Sequence, residues 1–271
     1  DDHHLFVSLG CAAENLAVAA DGWGRPGEIT YDVAGDGSVL FVHGKERPAA
    51  PERLKAIAQR QSTRSVYDGA PVSADDLKRL AAAAAIPGIS VVLLTDKIEI
   101  ARIRDLVLAG NSAQMRDPAF VRELRSWMRF SPRQAIQSGD GLFSAASGNP
   151  VLPAWLGPRL FDWVFSEASE NEKYARHLNS SSGLAVFIAD TADRDHWVRA
   201  GRACQRFALQ ATALGIRTAF VNQPVEVEKF RPELASLVGL AGRRPDLVMR
   251  FGYGPELPYS ARRPVGATLR A

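Results

Sequence analysis

Cysteine is nearly absent: the 271 residues contain two, Cys11 and Cys204. Two cannot form a multi-bridge framework, and no Cys/His cluster has zinc spacing, so both read as reduced, buried thiols. Lysine is scarce as well, six residues against 27 arginines. Acids are interspersed through most of the chain and the formal net charge is only +3, so no basic stripe for a nucleic acid emerges. No uninterrupted apolar run reaches the ~18 residues of a membrane span. The longest, such as residues 183–189, are strand-sized. Asp1-Asp2-His3-His4 is no signal peptide, and the reading is a cytoplasmic protein, a leader removed before residue 1 being left open. A Walker loop, a G-x-S-x-G elbow and an i, i+4 histidine pair are all missing, and Gly139-Asp140-Gly141 lacks the dinucleotide fingerprint. No self-contained triad or carboxylate pair stands out.

What is present is an ordinary globular composition, 46% hydrophobic and 23% charged, in a chain long enough to bury a substantial core. Apolar spacing predicts a helix over 5–20, ended by Asp21-Gly22-Trp23-Gly24, and strands over 28–33 and 38–43 joined through Gly35-Asp36-Gly37. The proline-bearing stretch 44–51 is the best boundary. Beyond it, helices are expected over 51–60, 74–85 with Ser73 as cap, 96–115, 117–128, 159–177, 194–214 and 226–238. Short apolar strands are expected at 89–95, 184–189, 217–222 and 246–252, and a long Gly/Ser-rich loop at 131–158. Helices alternating with strands argue for a layered α/β or α+β domain. Trp127, Trp155, Trp163 and Trp197 are assigned to the core or its rim. An internal echo joins the two ends: Gly10, Ala12, Leu16 and Ala20 recur as Gly201, Ala203, Phe207 and Ala211 at a constant offset, and both helices end in glycine and lead to a strand.

Arg60-Gln61-Ser62-Thr63-Arg64 sits where a helix gives way to irregular chain. Residues two apart on extended backbone share a side, so Arg60, Ser62 and Arg64 present two guanidinium forks and a hydroxyl together. Planar forks suit phosphate oxygens; arginines at a helix end also cap carbonyls without any ligand. Arg262-Arg263-Pro264 lies in a C-terminal stretch with six arginines against Asp246 and Glu256, a local excess able to hold an anion or simply to be a solvated tail. Asn222-Gln223-Pro224 closes a strand with polar amides.

These pieces together resemble the FMN-dependent nitroreductase superfamily. The stretches RQSTRSVY, DPAFVRELRSWMRFSP with the following DGL, AFVNQPVEVEKFRPEL and MRFGYGPELPYSARRPV, with SLGCAAENLAVAA near the start, resemble its Acg-like branch, in which two nitroreductase-type halves are fused. The resemblance implies an α+β, three-layer α/β/α sandwich, a pseudo-dimer whose partial first half is 1–46 and whose second half is 47–271. It implies FMN in the cleft between halves, with Arg60, Ser62 and Arg64 on phosphate and ribityl chain and Arg262 and Arg263 closing the phosphate site. NAD(P)H as electron donor and a nitro- or quinone-like acceptor follow, and so does a monomer or a homodimer. The expected departure concerns the ring. The polar segment that lines it in the family would precede SLGCAAENL, and its counterpart in the second half, Ala81 to Ser90, is almost wholly apolar.

Overall fold

The computed structural model describes residues 2–34, 37–49, 51–261 and 263–267, except the side chains of 52, 53, 160, 162–164 and 265. Helix α1 (His3–Gly22) leads into β1 (Gly27–Asp32) and β2 (Ser38–His43), an antiparallel hairpin, and then α2 (Glu52–Gln59). Next come α3 (Ala74–Ala84), β3 (Ile89–Leu94) and α4 (Lys97–Met115). Ser73 and Asp96 cap α3 and α4, accepting from amides of the first turn and leaving those N–H groups satisfied. Asp117 caps α5 (Pro118–Trp127) in the same way, with proline at the first helical position.

The stretch expected as a loop is more ordered than its composition suggests. After β4 (Met128–Arg129), residues 131–158 hold α6 (Pro132–Ser138), β5 (Leu142–Phe143) parallel to β4, a 3₁₀ turn at Ala145–Ser147 and the start of α7 (Gly157–Val164). The helix expected over 159–177 is two helices. α7 stops at Phe165, and Ser166 starts α8 (Glu167–Asn179) through a reciprocal capping box with Ser169. The remainder follows as β6 (Gly183–Ala189), α9 (Arg194–Ala213), β7 (Arg217–Phe220), α10 (Gln223–Glu226), α11 (Arg231–Leu237) and β8 (Pro245–Gly252). The helix expected over 226–238 is thus split, a 3₁₀ turn at Glu228–Phe230 preceding α11.

β3, β6, β8 and β7 form one antiparallel sheet in that order. β6 and β8 are buried along their whole lengths, and alternation sorts their side chains between two cores. Ala185, Phe187, Met249 and Phe251 pack with α3 and α9; Leu184, Val186, Ile188 and Val248 pack with α4, α8 and α11. This is the mixed α/β three-layer sandwich. Val7 of α1 belongs to the first core, and Val18 packs with Ala56 and Leu209, so the N-terminal helix is part of the same packing.

α1 and α9 are the same length and share the offset of the echo. Each runs 20 residues, and each is followed by a glycine of positive φ, Gly24 and Gly215, that turns the chain into a strand. They also touch each other reciprocally. A Cβ at Gly10 would lie 2.0 Å from the carbonyl oxygen of Val198, and one at Gly201 would lie 2.0 Å from that of Val7. Arg206 Nε donates to Glu14 Oε1 at 2.7 Å while, at the matching positions, Gln205 Nε2 donates to Asn15 Oδ1 at 2.7 Å. A contact in which residue i meets j and the equivalents of j and i meet in turn is the signature of a two-fold relation.

Three expectations are corrected. Trp127 and Trp155 are 50% and 66% exposed, so neither belongs to the core; the Trp163 side chain lies outside the described residues, and Trp197 packs against the first core. Cys204 is buried but Cys11 only half so; its thiol donates to Gly201 O at 3.2 Å. α1 is long and apolar enough to cross a membrane by length and composition, which uninterrupted runs did not reveal; here it lies along α9.

Candidate functional site

The RQSTR segment leaves α2 in extended conformation: Arg60, its C-cap, has φ −64° and ψ 126°. Thr63 N donates to Thr218 O at 2.8 Å, which lays the segment along β7 and fixes the side to which alternate residues point. Chain beyond β8 runs along its other side. Gln61 Nε2 donates to Leu257 O at 3.0 Å, Leu257 N donates back to Gln61 Oε1, and Tyr259 Oη donates to Gln59 O at 2.8 Å. Between these strands of chain opens a cavity of about 190 Å³ lined by Arg60, Gln61, Ser62, Arg64, Ala146 and residues 258–260.

Arg60, Ser62 and Arg64 therefore do converge as their spacing predicts. Their side chains make no hydrogen bond or ion pair among the described residues, although most arginines here are paired. Arg263 does not line the cavity: it is exposed, with its Cγ near Gly139 and its charge helping to hold the Asp140 carboxyl below the usual range, after the larger contribution of Arg129. Three Cα–Cα steps separate it from Ser260, a reach of roughly 11 Å at most. Arg262 lies outside the described residues.

Arg64 also lines a second cavity, of about 330 Å³, between α4, α8, α10 and β7. One wall is apolar, with Phe120, Leu124, Met128 and Phe165; the other carries Lys173, Tyr174, His177, Asn222 and Gln223. Gln223 Oε1 is buried without a partner. Lys173 Nζ is 2.6 Å from Glu170 Oε1, and Gln114 Nε2 donates to Glu226 Oε2 at 2.5 Å. Burial pushes Tyr174 up to about 12 and, with Arg250 next, lowers His177 to about 3, so both are neutral at ordinary pH.

Arg250 is the residue that sequence reasoning missed. It is 1% exposed in the middle of an apolar strand and contacts no carboxylate among the described residues. Instead its guanidinium donates to the carbonyls of Ser65 (2.7 Å), Thr63 (3.2 Å) and His177 (3.3 Å) and lies 4.0 Å from the centroid of Tyr67. It ties RQSTR to the sheet and to α8 at once. The available signal was one arginine interrupting DLVMRFG.

The chain is thus a three-layer sandwich with two cavities that share Arg64 in their lining, the smaller one carrying arginine side chains without partners among the described residues. The chain belongs to the nitroreductase family, matching it over residues 57–254. It is 27% identical over 279 residues to Rv3131 of Mycobacterium tuberculosis (strain ATCC 25618 / H37Rv), a protein provisionally named an NAD(P)H nitroreductase, covering 97% of this chain and 76% of that protein. Among solved structures, the FMN-dependent nitroreductase NfnB from Mycobacterium smegmatis in complex with NADPH superposes with a TM-score of 0.53 at 12% identity, over 81% of this chain and 97% of that one. A nitroreductase with bound FMN from Desulfitobacterium hafniense DCB-2 superposes with 0.51 at 16% identity, over the same shares. At these identities the structural likeness concerns the fold.

Proposed function

We propose that this protein binds FMN and acts as an NAD(P)H-dependent oxidoreductase of nitroreductase type on nitro- or quinone-like acceptors. The observation that carries the reading is the convergence of Arg60, Ser62 and Arg64, without side-chain partners among the described residues, on one cavity that shares Arg64 with a larger one. The donor set fits the group. A phosphate bearing roughly −1.5 to −2 charges asks for several donors, and the orphaned Gln223 Oε1 offers an acceptor to a ring N–H. In this reading Arg262 adds to the phosphate site, whereas Arg263, turned towards Gly139 and Asp140, does not. Bound flavin supplies two-electron exchange between nicotinamide and acceptor, while the protein orients it and excludes water. Neutral Tyr174 and His177 keep the ring cavity free of added charge.

The fused, Acg-like arrangement is part of the proposal, with 1–46 as a partial first half and 47–271 as the second. The reciprocal contacts of α1 and α9 support it, and one chain then supplies both sides of the interface that a homodimer needs two for, giving a monomer. Two thiols without a disulfide framework suit the reducing cytoplasm. The apolar run Ala81–Ser90 favours a second reading, a flavin-binding protein that stores rather than turns over its cofactor.

Titrating the protein with FMN, by quenching of flavin fluorescence, tests the site. Removing either guanidinium fork, by Arg60→Ala or Arg64→Ala, is expected to cost about 1.5–3 kcal/mol, ten- to over a hundredfold in affinity. Unchanged affinity refutes the site. Oxidation of NAD(P)H in the presence of a nitroaromatic separates turnover from storage.

A further inference from the structure

A second cleft, of about 440 Å³, lies away from RQSTR, between β1, the α3–β3 connection and α9. Its walls are Ile29, Thr30 and Tyr31 on one side and Ala85, Ile86 and Pro87 on the other; its floor is α9, with Asp195, Val198, Arg199, Arg202 and Arg206. It shares no lining residue with the cavities described above.

Three guanidinium groups at i, i+3 and i+7 face this cleft from one side of a helix. Two carboxylates answer them. Arg199 is held by Asp195, through Nε at 3.2 Å and Nη2 at 2.6 Å. Glu14, 3% exposed beneath the floor, accepts from Nε of Arg202 at 3.0 Å and from Nε of Arg206 at 2.7 Å. Both of those arginines spend only Nε on it, so their Nη groups make no hydrogen bond among the described residues. One buried anion thus fixes two forks side by side with their outer donors unspent, and the cleft keeps an excess positive charge.

Its position is not arbitrary. Ile29, Thr30 and Tyr31 occupy, at the offset that relates α1 to α9, the places of Phe220, Val221 and Asn222, which line the larger cavity of the first site. The two-fold relation of the helices therefore carries one cleft towards the other. The donors differ, however: the extended RQSTR segment serves the first, and the face of α9 serves the second.

We infer that this cleft is a second binding site, for a small phosphorylated molecule with a flat apolar body. The phosphate lies on Arg202 and Arg206 with Arg199 at its edge, and the body lies between Tyr31 and Ile86-Pro87. The inference does not rest on flavin binding at the first site.

Adenosine 5′-monophosphate is a probe of that chemistry, and adenosine is its uncharged control, both followed by isothermal titration calorimetry. The expected result is that adenosine monophosphate binds at least tenfold more tightly than adenosine. Arg202→Ala is a poor variant, because it strips a partner from buried Glu14. Arg199→Ala removes the donor at the rim and is expected to weaken binding at least fivefold. Thr30→Trp, at an exposed strand position, fills the mouth and is expected to weaken it at least tenfold. The double variant Arg60→Ala/Arg64→Ala, which disables the phosphate site of the first cavity, is expected to leave one equivalent of this binding in place. Absence of binding at millimolar nucleotide overturns the proposal. So does binding that survives Thr30→Trp, or that is lost in the Arg60/Arg64 double variant, which would assign the anion to the first site.

Discussion

His177 and Arg250 show how much a single side chain decides in this site. Arg250 reaches three carbonyls from two segments, and its charge, together with burial, keeps the neighbouring imidazole neutral. The consequence for stability has a definite sign. His177 titrates near 3 in the folded protein and near 6.5 unfolded. Between those values the unfolded chain binds the proton that the folded one refuses, so stability falls as pH drops through this window. The limiting slope is about 1.4 kcal/mol per pH unit for one proton. Urea denaturation at pH 7, 6, 5 and 4 should show the decline, and His177→Asn should make it shallower. Arg60, Ser62 and Arg64 were legible in the sequence because alternation on extended backbone is a local rule. Arg250 was not, because what it does depends on chain almost 190 residues away.

The elements were legible to the extent that local chemistry ended them. Ser73, Asp96 and Asp117 are caps that can be read directly, and the strands of the main sheet fall where apolar runs place them. The break between α7 and α8 escaped because a serine inside an apolar pattern becomes a cap only when the turn before it is terminated by packing, as Phe165 is by Phe161 and Phe130. α6 and β5 escaped because their partners lie within a short irregular stretch and not on the main sheet. The echo between α1 and α9 was visible, but not that the two helices lie against each other. Gly201 makes that approach possible, and Gly201→Ala tests it. Alanine improves helix propensity by about 1 kcal/mol, yet its Cβ meets the Val7 carbonyl, and neither helix can yield without moving the other. A net loss of about 2 kcal/mol is expected by urea midpoint, as for an overpacked core. A gain would mean that the helices are not held this closely in solution.

At the scale of the molecule, the proline-bearing connector divides the chain without dividing its core. His3, fully buried at the start of α1, lies 2.9 Å from Asp246 Oδ1, whose other oxygen accepts from Ala189 N. The described residues between 2 and 46 thus cover α9 and reach β8 and the end of β6. One cooperative thermal transition is expected for the whole chain, and the fragment 47–271 is expected to lose near-ultraviolet circular dichroism and to aggregate on refolding. A fragment that melts like the intact chain would show the two parts to be independent. The reciprocal helix contact has one more consequence. Between separate identical subunits, every substitution enters such a contact twice and association is lost on dilution. Within a single polypeptide the two sides change one at a time and never part, so the surroundings of one helix are free to diverge while those of the other are kept.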